Sequence, residues 1–384
     1  NILLRRLADV VCLPSSRVNA FERAMTADLL VEMLREASVA ERVKVARRLT
    51  ALLEPPTGLL RLLLRDEPAV AEPLLAECNS LSDADILDCV RLASLEHRRM
   101  IALRRGVSDV ISDALIEMGE TPVLECLLRN DLARLSYSGV EAIVGSSRRD
   151  PRLVPALLKR PELRPSHAYA LFWWADADAR RIILQRFAVS REVLQDAASD
   201  IFSMAAEENW QDPLSRKALQ FIERRQRNRA ALKRSQFDSL EDAIAFAQSG
   251  MTPETADEIA YLSGLKPMTG AKIFDDAGGE GLAVLCKATG LPRAALRALW
   301  RGLRRSDVDE QGRPDPAFER TVGIYDMLAV DRAQTVLRYW NWALTSALTP
   351  ALLRAVREGE ELGVDEYSVP QRAALLVLSK ELAG

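Results

Sequence analysis

The sequence predicts an all-α protein: a right-handed α-solenoid of about six two-helix repeats of 26–28 residues, followed by a smaller helical region. Three observations predict it. Apolar anchors recur at steps near 28 residues, each anchor precedes a helix starter, and Gly and Pro number only 18 each in 384 residues, leaving few sharp turns. Aromatic residues make up 5% of the chain against 48% for all hydrophobic types, so the core has to be built mostly from Leu, Ala, Val and Ile.

The elements follow in order. Residues 18 to 36 and 39 to 53 read as two longer helices, with Phe21, Met25, Leu29 and Met33 on the apolar face of the first and Val43, Ala46 and Leu49 on that of the second. This segment, 1–53, is expected to cap the solenoid. The anchors are Leu53, Leu81, Val107, Leu135, Leu163 and Val189, at steps of 28, 26, 28, 28 and 26, with a degenerate seventh at Leu214-Ser215. Ser82, Ser108, Ser136 and Ser190 take the slot after four of them, where a hydroxyl accepts from an unsatisfied N–H of the next helix. At Leu163 that work falls to Pro165 and Ser166. An apolar pair lies about five residues before each anchor, as in Leu74-Leu75, Ala102-Leu103, Leu127-Leu128, Leu157-Leu158 and Ile183-Leu184. Each unit is two short helices that cannot bury one apolar face alone, so the repeats of 54–213 must stack.

Residues 214–236 are read as a basic connecting segment: positions 216 to 234 hold eight basic residues against the single acid Glu223, and the run from Glu223 to Arg229 has no apolar residue to pack. Beyond it, 237–384 stays helical. Ser239 with Asp242 starts a helix that Gly250 stops; Thr252-Pro253 opens the next and Gly264 closes it. A helix from Pro292 to about Arg305 carries Leu296, Leu299, Trp300 and Leu303 on one face and Arg293, Arg297, Arg301 and Arg305 on another. Like charges at that spacing cost roughly 0.2–0.5 kcal/mol per pair. Either Asp275, Asp276, Glu280, Asp307 and Asp309 answer the stripe within the chain, or it is a docking face. The region ends in the aromatic helix of Tyr339, Trp340 and Trp342.

The phrases "RVKVARRL", "DEPAVAEPLLAECNSLSDADIL", "HRRMIALRRGVSDVISDALIEMG" and "VLECLLRNDLARLS", between Glu22 and about Phe187, resemble a bacterial family of uncharacterised HEAT-like repeat proteins known only as a domain of unknown function. Its repeats are similar in style to leucine-rich-repeat-variant solenoids. The phrases "GLAVLCKATGLPRAALRAL" and "RAQTVLRYWNWAL" fit its longer members, so the resemblance covers most of the chain. It implies a helical-repeat fold and brings no catalytic residues. Leucine-rich-variant proteins can carry an iron–sulfur cluster on a Cys-rich amino-terminal segment; Cys12 stands alone here, and no cofactor is carried over.

Residues 1 to 136 contain one aromatic, Phe21, and the other 20 fall between Tyr137 and Tyr367. The first concentration is Tyr169, Phe172, Trp173 and Trp174, followed by Arg180 and Arg181. It is either a core plug or a partner anchor, because exposed Trp and Arg dominate binding hot spots. The expected function is a non-catalytic scaffold for an unidentified protein partner, with Trp173, Trp174, Arg180, Arg181, Arg293, Arg297, Arg301 and Arg305 as candidate partner-binding residues. The alternative is nucleic-acid binding through the Arg-rich strips. If all eight charges of 216 to 234 met DNA phosphates, log K would fall with log salt at a slope of about −7.

Other classes fit less well. A net charge of −3 and a pI near 5.8 exclude a globally basic nucleic-acid wrapper. Five scattered Cys, no CxxC and two His give no zinc constellation; reduced thiols and a cytoplasmic location are expected. No run of 18 apolar residues supports a membrane span, and Arg5 and Arg6 argue against a signal peptide. Gly278-Gly279-Glu280-Gly281 follows a helical segment rather than a strand and lacks the adjacent Lys of a P-loop. Asp307-x-Asp309-x-Gln311-Gly312 begins like a calcium loop, but Phe318 stands where the bidentate acid belongs. Trp173, Trp174, Asp178 and Arg181 supply residue types used by HEAT-like DNA glycosylases without matching a defensible spacing.

Overall fold

The computed structural model describes residues 2–14, 16–189, 235–309 and 311–346. Among these the protein is all-α, with 20 α-helices, one 3-10 turn at Pro151–Leu153, and no strand beyond an isolated bridge between Val308 and Pro314. No helix among the described residues is long and apolar enough to cross a membrane. The chain divides into two compact units, Asn1–Leu163 and Arg164–Gly384.

The first unit opens with α1 (Ile2–Val11), α2 (Ala20–Arg35) and α3 (Val39–Leu49). Four pairs follow: α4 (Thr57–Leu64) with α5 (Pro68–Glu77), α6 (Asp83–Leu92) with α7 (Leu95–Ala102), α8 (Asp109–Met118) with α9 (Thr121–Arg129), and α10 (Tyr137–Ser147) with α11 (Val154–Leu157). Packing is sequential and runs in two series. Helix α3 touches α5, α5 touches α7, α7 touches α9 and α9 touches α11, while α2 touches α4, α6 touches α8 and α8 touches α10. Isolated helices this short are marginal in water, so their stability comes from the buried faces. Leu59, Leu63, Leu74, Leu75, Leu127 and Leu128 are each 0–2% exposed, and each full burial is worth about 1.5–3 kcal/mol.

The serine slots form as the spacing predicts. The hydroxyls of Ser82, Ser108 and Ser136 accept from the N–H groups of Asp85, Ile111 and Gly139 at the starts of α6, α8 and α10. Ser108 and Ser136 also donate to Asp83 and Asp113 of the preceding helix pair, at 2.8 and 2.6 Å. Ser190 lies outside the described residues.

Several expectations need correction. Leu53 is 91% exposed, because Pro55 and Pro56 cannot donate N–H groups, α4 starts only at Thr57, and Leu53 is left in the link. Leu103 is also exposed. On α2 the buried residues are Ala27, Leu30 and Leu34, whereas Phe21, Met25 and Leu29 are 74%, 51% and 57% exposed. Both faces of α2 carry apolar residues at helical spacing, and packing against α1 and α4 selects the narrower one. At α12 (Pro165–Leu171) Pro165 takes the first helical position, but Arg164 is the N-cap, and the buried Ser166 hydroxyl has no hydrogen-bond partner among the described residues. Helix α1 had no counterpart in the sequence reading.

The second unit holds α12, α13 (Ala177–Arg186), α14 (Leu240–Ala247), α15 (Pro253–Leu262), α16 (Pro267–Phe274), α17 (Glu280–Thr289), α18 (Arg293–Gly302), α19 (Pro316–Met327) and α20 (Val330–Ser346). Residues 164–189, which the spacing assigned to the solenoid, group here: α12 touches α20 and α13 touches α19. Helix α17 is central. It is buried nearly all round, from Glu280 through Cys286, and meets α16, α18, α19 and α20. Ser239 and Thr252 cap α14 and α15 by accepting from Asp242 and Thr255. Residues 190–234, with most of the basic connection, lie outside the described residues.

Candidate functional site

The aromatic residues at the end of α12 meet those of α20. Trp173 lies with its ring centroid 4.7 Å from that of Trp340 and 5.4 Å from that of Phe172. The Trp340 indole N–H donates to the Tyr169 carbonyl at 3.2 Å, and the Tyr169 hydroxyl donates to the Phe187 carbonyl at 2.6 Å. Burial pushes the Tyr169 phenol up to about 12, so it remains a donor at any physiological pH. Phe172 and Trp340 are fully buried, while Trp173 and Trp174 are half-buried. The Lys272 ammonium sits 4.5 Å over the Trp173 ring, a cation–π contact. No sequence signal links Lys272 to Trp173; only the packing of the second unit does.

Arg180 turns inward. Its Nη1 donates to Asp276 at 2.9 Å and to Glu280 at 2.8 Å, Nη2 reaches the other Asp276 oxygen at 2.8 Å, and Nε donates to the Ala175 carbonyl. Its guanidinium carbon also lies 4.8 Å over the Phe172 ring. Burial works against its charge, yet the two carboxylates outweigh burial and hold its pKa above the ordinary arginine value. The glycine run belongs to this network. Gly279, at φ +81°, caps α17 and donates its N–H to Asp276, and a Cβ on Gly278 would lie 2.3 Å from Arg180 Nη1. Arg181, one residue on, is exposed and makes no ion pair among the described residues.

The arginine stripe on α18 finds partners one by one. Arg301 forks onto Asp307 at 3.0 and 2.8 Å, and Arg297 reaches the same carboxylate at 3.3 Å. Those arginines, Arg301 first, hold the Asp307 carboxyl below its ordinary range. Arg293 pairs with Asp326, a residue the spacing did not single out. Arg305 donates to the Asp276 carbonyl at 2.8 Å and stacks over Trp300 with its guanidinium carbon 5.1 Å from the ring centroid. The outer members stay accessible: the side chains of Arg293 and Arg297 are 64% and 58% exposed.

Other chemistry-bearing residues serve local structure. His97 lies between the Ser94 hydroxyl at 2.8 Å and the Asp66 carbonyl at 2.9 Å, with Ser94 at the N-cap of α7. Burial depresses the pKa of His97, and burial with the nearby Arg164 pushes His167 down to about 4. Asp309 accepts from the Gln311 and Arg313 N–H groups and pairs with the Arg313 side chain, closing a turn. Among the described residues no group of three His, Cys, Asp or Glu is arranged to hold a metal ion.

Residues 70–338 match the family described as an uncharacterised protein conserved in bacteria, DUF2336. No curated protein and no solved structure matches the chain.

Proposed function

The chain belongs to the DUF2336 family, and from that premise we propose that it is a non-catalytic, HEAT-like α-solenoid scaffold that binds a protein partner. One observation supports the reading: a ladder of side chains ties successive helix pairs of the first unit to one another. Arg104 donates to the Leu75 and Cys78 carbonyls at 2.6 Å each. Asn130 donates to the Ala102 and Arg104 carbonyls at 2.8 and 2.7 Å. Arg160 in turn donates to the Asn130 and Ala133 carbonyls at 2.8 and 2.7 Å. The three donors recur at steps of 26 and 30, and each meets carbonyls at or just beyond the end of the second helix of the preceding pair. Such nearest-neighbour ties are what a stacked-repeat protein requires, and extended stacks serve as binding surfaces.

As anchors we propose Trp173 and Trp174, half-buried beside the exposed Arg181, with the outward arginines Arg293 and Arg297. Arg180, buried against Asp276 and Glu280 and over the Phe172 ring, is structural and not an anchor. Five unpaired cysteines support a reducing, cytoplasmic setting. The nucleic-acid reading has less behind it, because Arg293, Arg297 and Arg301 each face a carboxylate that would repel phosphate. Affinity capture from a bacterial lysate should recover a specific protein with the intact chain and lose it with Trp173→Ala or Trp174→Ala. Recovery of no specific protein, or DNA binding that falls steeply between two salt concentrations, would overturn the reading.

A further inference from the structure

An open groove of about 600 Å³ runs where α2 meets α3 and α4 in the first unit. Val31, Leu34 and Leu62 give it an apolar floor, and Arg35, Arg42, Arg61 and Arg65 rim it, against a single lining carboxylate, Asp66. It lies ahead of the stretch that matches the family.

The four arginines are not equally engaged. Arg42 is tied down, through Asp66 at 2.8 Å, Glu67 at 3.0 Å and the Ala37 carbonyl at 2.8 Å. Among the described residues the other three each have one long contact: Arg35 to Glu32 at 3.7 Å, Arg61 to Asp85 at 3.4 Å and Arg65 to Asp88 at 3.5 Å. Their side chains are 63%, 55% and 44% exposed. A guanidinium carries five N–H donors, and an exposed pair is worth about 0–1 kcal/mol, so Arg35 and Arg65 can be recruited by a better acceptor, while Arg61 keeps the buried Asp85 and offers its remaining donors. The floor has room as well. A Cβ built on Gly58 would meet nothing within 4 Å.

We propose that this groove docks an amphipathic helix of a partner protein, with apolar residues on Val31, Leu34 and Leu62 and flanking Asp or Glu carboxylates on Arg35, Arg61 and Arg65. Charge complementarity selects the acidic partner, and the apolar floor selects a peptide over a bare anion. Nucleic acid fits worse: no aromatic residue lines the groove for base stacking, and Asp66 would face the phosphates. The inference rests on the protein-binding reading for the class of partner, and it concerns residues of the first unit only, not Trp173 or Trp174.

The test is fluorescence anisotropy on the full chain with a labelled synthetic helix of Leu and Glu, beside a Leu and Lys counterpart and a scrambled Leu and Glu peptide. Saturable binding of the Leu and Glu helix alone is expected. Gly58→Leu adds a side chain where the groove is open, its Cβ meeting nothing within 4 Å, and raises helix propensity, so it should weaken binding about tenfold or more with a melting temperature no lower than that of the unsubstituted chain. Arg35→Glu with Arg65→Glu, whose partners Glu32 and Asp88 are exposed, should reverse the preference toward the Lys peptide. Binding that is absent, equal for all three peptides, unaltered by Gly58→Leu, or displaced equally by inorganic phosphate or single-stranded DNA would overturn the groove assignment. Lysate capture that depends on Trp173 would survive that outcome, so the two readings fail separately.

Discussion

The guanidinium of Arg180 forks onto the carboxylate of Asp276, 96 residues away, through contacts of 2.9 and 2.8 Å, with both side chains less than 10% exposed. Glu280 shares the same guanidinium. Removing one partner of such a group leaves uncompensated buried charge, which costs about 3–5 kcal/mol. Arg180→Ala should therefore lower the urea midpoint of the second unit sharply, while Arg181→Ala, on the exposed neighbour, should move stability by less than about 0.5 kcal/mol. Equal effects from the two variants would contradict the burial of Arg180.

Gly270 of α16 approaches α15 so closely that a Cβ there would lie 2.3 Å from the Ala260 Cβ. A methyl group in that space must push the two helices apart, an overpacking cost of about 1–3 kcal/mol that exceeds the helix-propensity gain of Gly→Ala. Gly270→Ala should lower the melting temperature. Gly58→Ala, with open space around it, should raise it slightly. Calorimetry of both variants checks the opposite signs.

Much of the local structure is legible in the sequence, because helix starts are short-range chemistry. Ser82, Ser108, Ser136, Ser239 and Thr252 cap where their spacing says they should. What fails is what only neighbours decide. Phe21, Met25 and Leu29 form as good an apolar stripe as the residues buried in their place, and nothing within α2 tells which side α1 and α4 cover. The grouping of α12 and α13 with the second unit rests on partners such as Asp276 and Trp340, far along the chain. The arginine stripe is legible as a stripe, and Asp307 as one of five candidate acids for it; Asp326 is not, since no local rule joins α18 to α19. The face of α2 gives a test. Phe21→Ser should leave stability within about 0.5 kcal/mol, whereas Leu30→Ala should cost about 2–5 kcal/mol. Chemical denaturation that ranks them the other way would restore the sequence reading.

The thiols should separate by accessibility. Cys78, Cys89 and Cys286 are buried, and burial pushes Cys89 up to about 11 and Cys286 up to about 12. Thiolate is the reactive form. A chromogenic disulfide reagent at pH 8 should label the partly exposed Cys12 and Cys126 in the native protein and reach Cys89 and Cys286 only after denaturation. Peptide mapping that finds native label on Cys286 would contradict the central position of α17.

His167 makes stability acid-sensitive in a defined window. Burial first, then the charge of Arg164, lower its pKa from 6.5 to about 4 in the folded state. As pH falls below 6.5 the unfolded chain takes up a proton that the folded chain refuses until about 4. Stability is therefore full above pH 6.5, declines through the interval, and levels off after a loss of about 3 kcal/mol. His97, depressed by burial, adds in the same direction. Carboxylates held below their ordinary range, such as Asp307, contribute only lower down, whereas burial raises Glu141, so the histidine part of the slope between pH 5 and 6.5 is read as the difference between the native chain and His167→Gln. His167→Gln should flatten that slope whatever it does to absolute stability, because a side chain that cannot take a proton cannot link folding to one.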